Sequence, residues 1–396
     1  MPASEKIRVA LIGPRGDGHH AGYLLDLAVG LNAMGVAVLV MAPQKVCKRA
    51  ESLGLDASVY ELPSYAGLRR QLSGFVLYKD AIREATAWRA THIHFLYADW
   101  NVSGIAAAWM SSISRTGADL VLTVHWAAGV GAGHGTAKSY IRRMPHRFAL
   151  RWLVGRYRAL IQVHHLAVAN MIQQHLGIKR MQISVVPYPV EPPRQIARSK
   201  VELFRQELGL GENEKLVLCY GGTRHDKGAD LAIRAVAELP THYHLLIAGI
   251  AQHFNAHKLN AYAEKFNVTD KVHVMDRWLD DGESAIVFQA ADVVLLPYRK
   301  EFSGQSGPLV QGAANGKPVV VPELPVLEDT VVAFGIGVTY PPEDICAMAC
   351  AIDRAVKQGM SQCKQLAFVD SHSPLSFAQA VLEGYCHGSG YAGKIE

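Results

Sequence analysis

At 396 residues the chain exceeds what one hydrophobic core usually organises, which predicts two domains. A hydrophobic content of 49% with 19% charged residues excludes a disordered chain, and a net charge of +5 with 18 histidines permits anionic substrates or a membrane surface without demanding nucleic acid. The six cysteines (Cys47, Cys219, Cys346, Cys350, Cys363 and Cys386) are scattered. Cys346 and Cys350 lie four apart on a predicted helix without a His or Cys partner motif, so the pattern predicts reduced, mostly packing side chains of a cytosolic protein and no metal site.

Ile7 to Gly13 reads as a buried strand. It begins within the first ten residues, so no signal peptide is expected, and no uncharged apolar run approaches the ~18 residues of a spanning helix. A glycine-rich turn follows from Pro14 to Gly22, then a helix near 22–34 and a strand from Val36 to Val40. Further strands are predicted at 58–61, His92 to Leu96, Leu120 to Val124, Ala159 to Val163 and Ile183 to Val186. Helical patterns fill the gaps at 65–87, 103–115, 138–155 and 166–176. Such alternation indicates a parallel sheet covered on both faces. Pro187-Tyr188-Pro189-Val190-Glu191-Pro192-Pro193 is proline-dense and predicts a linker, since proline fixes φ and blocks both helix and central strand. A second alternating set runs from 214 to about 357, and a last helix is predicted from Ser376 to Cys386. The expected fold is α/β: two Rossmann-like, doubly wound parallel-sheet domains over 1–188 and 189–372, then a terminal segment, 373–396.

In the first half, the turn after the first strand holds Gly16 and Gly18, which allow close backbone approach, and His19 and His20, which could meet an anion. Its glycines are out of register with a dinucleotide fingerprint, and Met41-Ala42-Pro43 stands where an acid should end the second strand; an NAD site is rejected. A solvated loop with incidental histidines is the equal alternative. Thr123-Val124-His125-Trp126 ends a strand, so the His125 ring is expected at a crevice; the alternative is a histidine satisfied by neighbouring backbone. His94, mid-run in its strand, reads as structural, while Asp99 just past that strand is a candidate acceptor contact or general base. Residues 138–158 are strongly basic, interleaved with aromatics and free of acids. They suit an anionic bilayer surface, or else form an ordinary helix with a solvated basic face; no motif for nucleic acid accompanies them.

In the second half, Gly221-Gly222-Thr223-Arg224-His225-Asp226-Lys227-Gly228 lies between an apolar run, Leu216 to Tyr220, and a helical pattern from Ala229 to Val236. Glycines let the backbone approach a ligand, and a helix start offers unpaired N–H groups and a positive dipole end. Arg224 and Lys227 add two cations, a combination suited to a diphosphate; taken alone, the stretch would serve equally as a βα turn with solvated basic residues. A second such loop, Ser303-Gly304-Gln305-Ser306-Gly307-Pro308, follows the strand Asp292 to Tyr298 and precedes the helix from Leu309 to Asn315. Two anion-type loops at strand C-termini in one α/β domain should converge on one crevice.

This order of strand, G-x-x-R-x-x-K-G turn, strand, Pro-Tyr, Gly-Gln-Ser-Gly loop, helix and Gly-Lys-Pro-Val-Val resembles the nucleotide-sugar half of GT-B glycosyltransferases of the retaining "family four" type, well over 215–325 and in outline elsewhere. The resemblance implies two Rossmann-like domains facing a central cleft, with the last helix crossing back to the first domain. It implies that Arg224 and Lys227 bind the donor diphosphate and stabilise the leaving group. Gly222, Thr223, Ser303, Gln305, Ser306 and Gly307 become donor-loop positions, with Gly16 and Gly18 near phosphate or acceptor. Thr123-Val124-His125 resembles the family's Thr-x-His segment, whose histidine hydrogen-bonds the donor sugar. The family's two glutamates, eight apart, fall here on Ser303 and Gln311, with Glu301 two residues early and Glu328 a further substitute. The implied activity moves a hexose from a UDP- or GDP-sugar to a glycan, glycolipid or lipid-linked saccharide, without metal or other cofactor and with retention, in the cytoplasm or on the inner face of the membrane. A same-fold sugar-nucleotide epimerase and a non-catalytic nucleotide-sugar sensor are the alternatives, the second favoured by the missing glutamates.

Overall fold

The computed structural model describes residues 7–13, 15–16, 19–61, 68–112, 116–130 and 137–388. The chain divides into two compact units, Met1–Pro189 together with His372–Glu396, and Val190–Ser371.

In the first unit the chain alternates β1 (Arg8–Ile12), α1 (His19–Ala33), β2 (Ala37–Ala42), α2 (Gln44–Ser52), β3 (Asp56–Val59), α3 (Leu68–Ala87), β4 (His92–Phe95), α4 (Val102–Ser112), β5 (Asp119–Thr123), α5 (Ala137–Tyr157), β6 (Leu160–Val163), α6 (Leu166–Leu176) and β7 (Ile183–Val185). Among the described residues these strands form a seven-stranded sheet in the order β3-β2-β1-β4-β5-β6-β7, every pair parallel. The central strands are apolar because both faces are covered: Val9, Ala10, Leu11 and Ile12 are all inaccessible to solvent. At ~25 cal/mol per Å² each such Val, Leu or Ile side chain contributes roughly 1.5–3 kcal/mol. Strand β3 lies at Asp56–Val59 instead of 58–61; it is an edge strand with both ends exposed, so its apolar signal is weak. Helix α5 continues through Pro145, and its exposed Arg151, Arg156 and Phe148 lie opposite the buried Leu150, Leu153 and Val154.

The second unit runs α7 (Arg198–Glu207), β8 (Lys215–Tyr220), α8 (Ala229–Ala237), β9 (Tyr243–Ala248), α9 (Ala256–Lys265), β10 (Val272–Met275), α10 (Asp281–Ala290), β11 (Val293–Leu295), α11 (Gly307–Ala314), β12 (Val319–Pro322), α12 (Pro325–Phe334), β13 (Gly337–Tyr340), α13 (Ile345–Gln358) and α14 (Gln362–Ser371). Its six-stranded parallel sheet has the order β10-β9-β8-β11-β12-β13. The chain then enters α15 (Pro374–Gly388), which belongs to the first unit and packs on α1. The approach is close: a Cβ on Gly30 would stand 2.4 Å from that of Ala378. No described helix is long and apolar enough to cross a membrane. The cysteines correct one expectation: Cys47 and Cys219 are buried, but Cys346, Cys350 and Cys363 are exposed, because α13 and α14 turn these positions outward.

Candidate functional site

In the second sheet the strand order reverses between β8 and β11, and open α/β sheets hold ligands outside the carboxyl ends of strands at such a point. The two glycine loops leave those two strands. Gly228 closes the first with φ +61, and a Cβ there would meet the carbonyl of Pro297 at 2.0 Å, so only glycine fits. A Cβ on Gly221 would meet Lys227 Nζ at 3.0 Å and Pro308 Cγ at 3.8 Å, which places the first loop's turn beside the start of α11.

Helices α9, α10 and α13 are capped by the side chains of Asn255, Asp280 and Asp344. At the two loops the N-caps are Gly228 and Ser306, and neither caps with a side chain. The buried Ser306 hydroxyl bonds instead to the Tyr298 hydroxyl at 3.1 Å. The first-turn N–H groups of α8 and α11 thus lack a side-chain cap, which leaves each helix start with its partial positive charge.

Among the described residues, the charges around these loops are held in direct pairs except that of Lys227. Arg224 forks onto Asp226, Nε to Oδ1 at 2.9 Å and Nη2 to Oδ2 at 2.7 Å. Arg299 pairs with Asp230 at 2.7 Å where both are nearly buried, and donates to the carbonyl of His225 at 2.6 Å. Its own backbone N–H donates to the carbonyl of Asp226 at 2.9 Å. Arg299 therefore clasps the first loop to the segment that leads into the second. Glu301 sits 3.4 Å from the ring of His225, both half exposed. Lys227 makes no ion pair or hydrogen bond among the described residues; its ammonium lies 5.5 Å from the Tyr298 ring centroid. Desolvation first, and the Arg224 guanidinium second, bring this ammonium down to about 8.

The remaining expected positions fall as follows. Gly222 is half-buried against the side chain of Gln252. Thr223 is buried, and its hydroxyl accepts from the Gln252 N–H at 3.1 Å and bonds the carbonyl of Phe254, so it braces the loop from inside. Ser303, Gln305 and Gly307 are half-buried, and Gln311 is exposed on α11.

In the first unit the order reverses between β1 and β4. Gly16, beyond β1, is exposed; Gly18 and Asp17 lie outside the described residues, as does the side chain of His19. Asp99 occupies a short turn after β4, is 4% exposed, and lies close to the backbone of His125. Burial pushes its carboxyl up to about 7 despite Arg143 and Arg15 nearby, and its Oδ1 has no partner among the described residues. His125 donates from Nε2 to the carbonyl of Leu96 at 2.8 Å and stacks on Tyr97 at 4.5 Å. The structure thus joins Asp99 to His125, and Lys227 to Ser306 through Tyr298. The basic side chains of 138–142 lie outside the described residues; beyond them Arg143 rests 5.5 Å over the Trp126 ring, and Phe148 is 65% exposed. Among the described residues no group of three His, Cys, Asp or Glu could hold a metal ion.

Sequence reading missed Arg299, Asp230 and the pairing role of Asp226. One signal was present: Asp230 stands in the first turn of a mostly apolar helix, where a buried carboxylate needs a cation.

The two parallel-sheet, Rossmann-like units have the architecture of the GT-B fold. Residues 200–367 match the family Glycosyl transferases group 1, and 20–189 match the Glycosyl transferase 4-like domain. The chain thus carries two glycosyltransferase domains. It is 30% identical over 153 residues, 37% of its length, to lipopolysaccharide glucosyltransferase WaaG of Escherichia coli (strain K12). It is 28% identical over 317 residues, 76% of its length, to the D-inositol 3-phosphate glycosyltransferase of Segniliparus rotundus. These matches span 39% and 66% of the two relatives. Among solved structures, that of Anabaena HepE in complex with UDP superposes with a TM-score of 0.73 at 16% identity, covering 96% of this chain and 98% of that one.

Proposed function

We propose that the chain moves a hexose from a UDP- or GDP-sugar to a hydroxyl of a glycan, glycolipid or lipid-linked saccharide. The observation that carries this reading is Lys227, a cation with no direct ion pair among the described residues, set between a glycine turn and a helix start without a side-chain cap. A diphosphate supplies the missing negative charge. HepE is named with UDP and WaaG as a glucosyltransferase, which favours a UDP-hexose. When the sugar–phosphate bond breaks, charge grows on the β-phosphate. Lys227, Arg224 once released from Asp226, and the amides at Ser306 and Gly307 stand ready for it in advance. Two cations make a metal unnecessary in this reading. In the first unit, His125 contacts the donor sugar and Asp99 the acceptor, with retention at the anomeric carbon. The acceptor's lipid draws the chain to the cytoplasmic membrane face, where the exposed Phe148 and the arginines of α5 meet anionic headgroups.

The test is a panel of UDP-, GDP-, ADP- and TDP-sugars, scored by thermal shift and then by nucleotide release with saccharide acceptors in chelator. A UDP- or GDP-sugar should stabilise the protein, turn over with an acceptor, and give the retained anomer by NMR. The protein should pellet with anionic vesicles at low salt and leave them at high salt. Tight donor binding without turnover on any acceptor would favour the sensor; donor epimerised without acceptor would favour the epimerase.

A further inference from the structure

The first unit buries a second set of polar side chains that the proposed transfer does not use. Tyr385 of α15 bonds His94 Nδ1 at 2.7 Å, and His94 Nε2 bonds Thr123 Oγ1 at 2.7 Å. The phenol oxygen of Tyr23 lies 3.2 Å from His164 Nε2. His164 Nδ1 reaches the carbonyl of Val186 at 3.2 Å. All five side chains are buried, none more than 8% exposed.

The last link sets the direction of the one before it. A carbonyl only accepts, so His164 carries its proton on Nδ1. Burial keeps the His164 ring neutral. A neutral ring protonated on Nδ1 must accept at Nε2, so Tyr23 donates to it. Reversing that link leaves a buried group unpaired.

Two members of this chain frame His125. Its ring centroid lies 5.0 Å from that of Tyr23, edge-on, and 4.9 Å from that of His164, while Tyr97 stacks at 4.5 Å. We propose that the one-way run from Tyr23 through His164 to Val186 is a positioning device for His125, with Tyr23 and His164 as positioning residues locked in single orientations. The functional half of this inference rests on His125 as a donor-sugar contact.

The experiment uses the full chain with nitrogen-15 histidine, reading each ring's tautomer by long-range NMR, and the variants Tyr23→Phe and Tyr385→Phe. In the wild type His164 should show the Nδ1–H form, the minor one in water. Tyr23→Phe should release the His164 tautomer, shift the His125 signals, and lower kcat about 5- to 10-fold with donor KM unchanged. Tyr385→Phe should move the His94 signals and have the smaller effect on kcat. His164 as the Nε2–H form in the wild type, or unmoved His125 signals in Tyr23→Phe, would overturn the proposal. If the wild type transfers no sugar, the proposed function fails, and the tautomer signals still decide the chain.

Discussion

The two sheets share a topology and line their reversal points with opposite chemistry. In the second unit the loops beyond β8 and β11 bring glycines, a hydroxyl pair and the Lys227 ammonium to one edge. In the first unit the residues beyond β4 and β5 bring a buried carboxyl and a packed set of rings. An open, cationic edge suits a flexible, highly charged diphosphate. An aromatic edge around one acid suits neutral sugar faces and a proton. The scaffold thus fixes where chemistry happens, and the loop residues decide which chemistry it is.

The largest expected effect tests the acidic edge. Asp99 binds its proton more tightly folded than unfolded, so between pH 3.8 and about 7 the folded chain keeps a proton the unfolded chain has lost. Stability therefore falls as pH rises through that window, and the full penalty stands above about 7. Asp99→Asn should raise stability by up to about 4 kcal/mol at pH 8 and by almost nothing at pH 4. Urea melts at the two pH values measure it, and equal gains at both would break the contrast. The next effect tests the cationic edge. Lys227→Ala should weaken donor binding about 100-fold near pH 7 with little change in melting temperature. The wild type should lose the same affinity as pH rises through about 8, where the ammonium gives up its proton. Calorimetry across that range checks both, and a flat profile would move the phosphate elsewhere. The smallest effect belongs to Arg224→Ala, expected to cost about tenfold in donor affinity, because binding must first break its fork with Asp226. A loss as large as that for Lys227 would mean that Asp226 does not compete.

Much of the second edge was legible because it is written in two contiguous stretches. Glycine, cation and hydroxyl positions at strand ends carry their meaning locally, and residues 221–228 and 303–308 are such stretches. The clasp was not legible, since Arg299 and Asp230 stand 69 residues apart and only the folded sheet introduces them. Thr223 read as a ligand contact by its place in the loop, yet burial turns its hydroxyl to the carbonyl of Phe254. In the first unit the ring at 125 was visible, but the frame of Tyr23, Tyr97 and His164 comes from three separate elements. The surface cysteines were misread because apolar character alone does not say which face of α13 a residue takes.

Helix α15 carries one more consequence. Phe377 and Tyr385 are buried in the first unit, yet a ribosome makes them only after residues 190–371. The second unit is continuous in the chain and can mature while still tethered. The first must wait until α15 has been made, with part of its interior uncovered. Nascent protein should therefore meet chaperones through its opening half, although that half is born first.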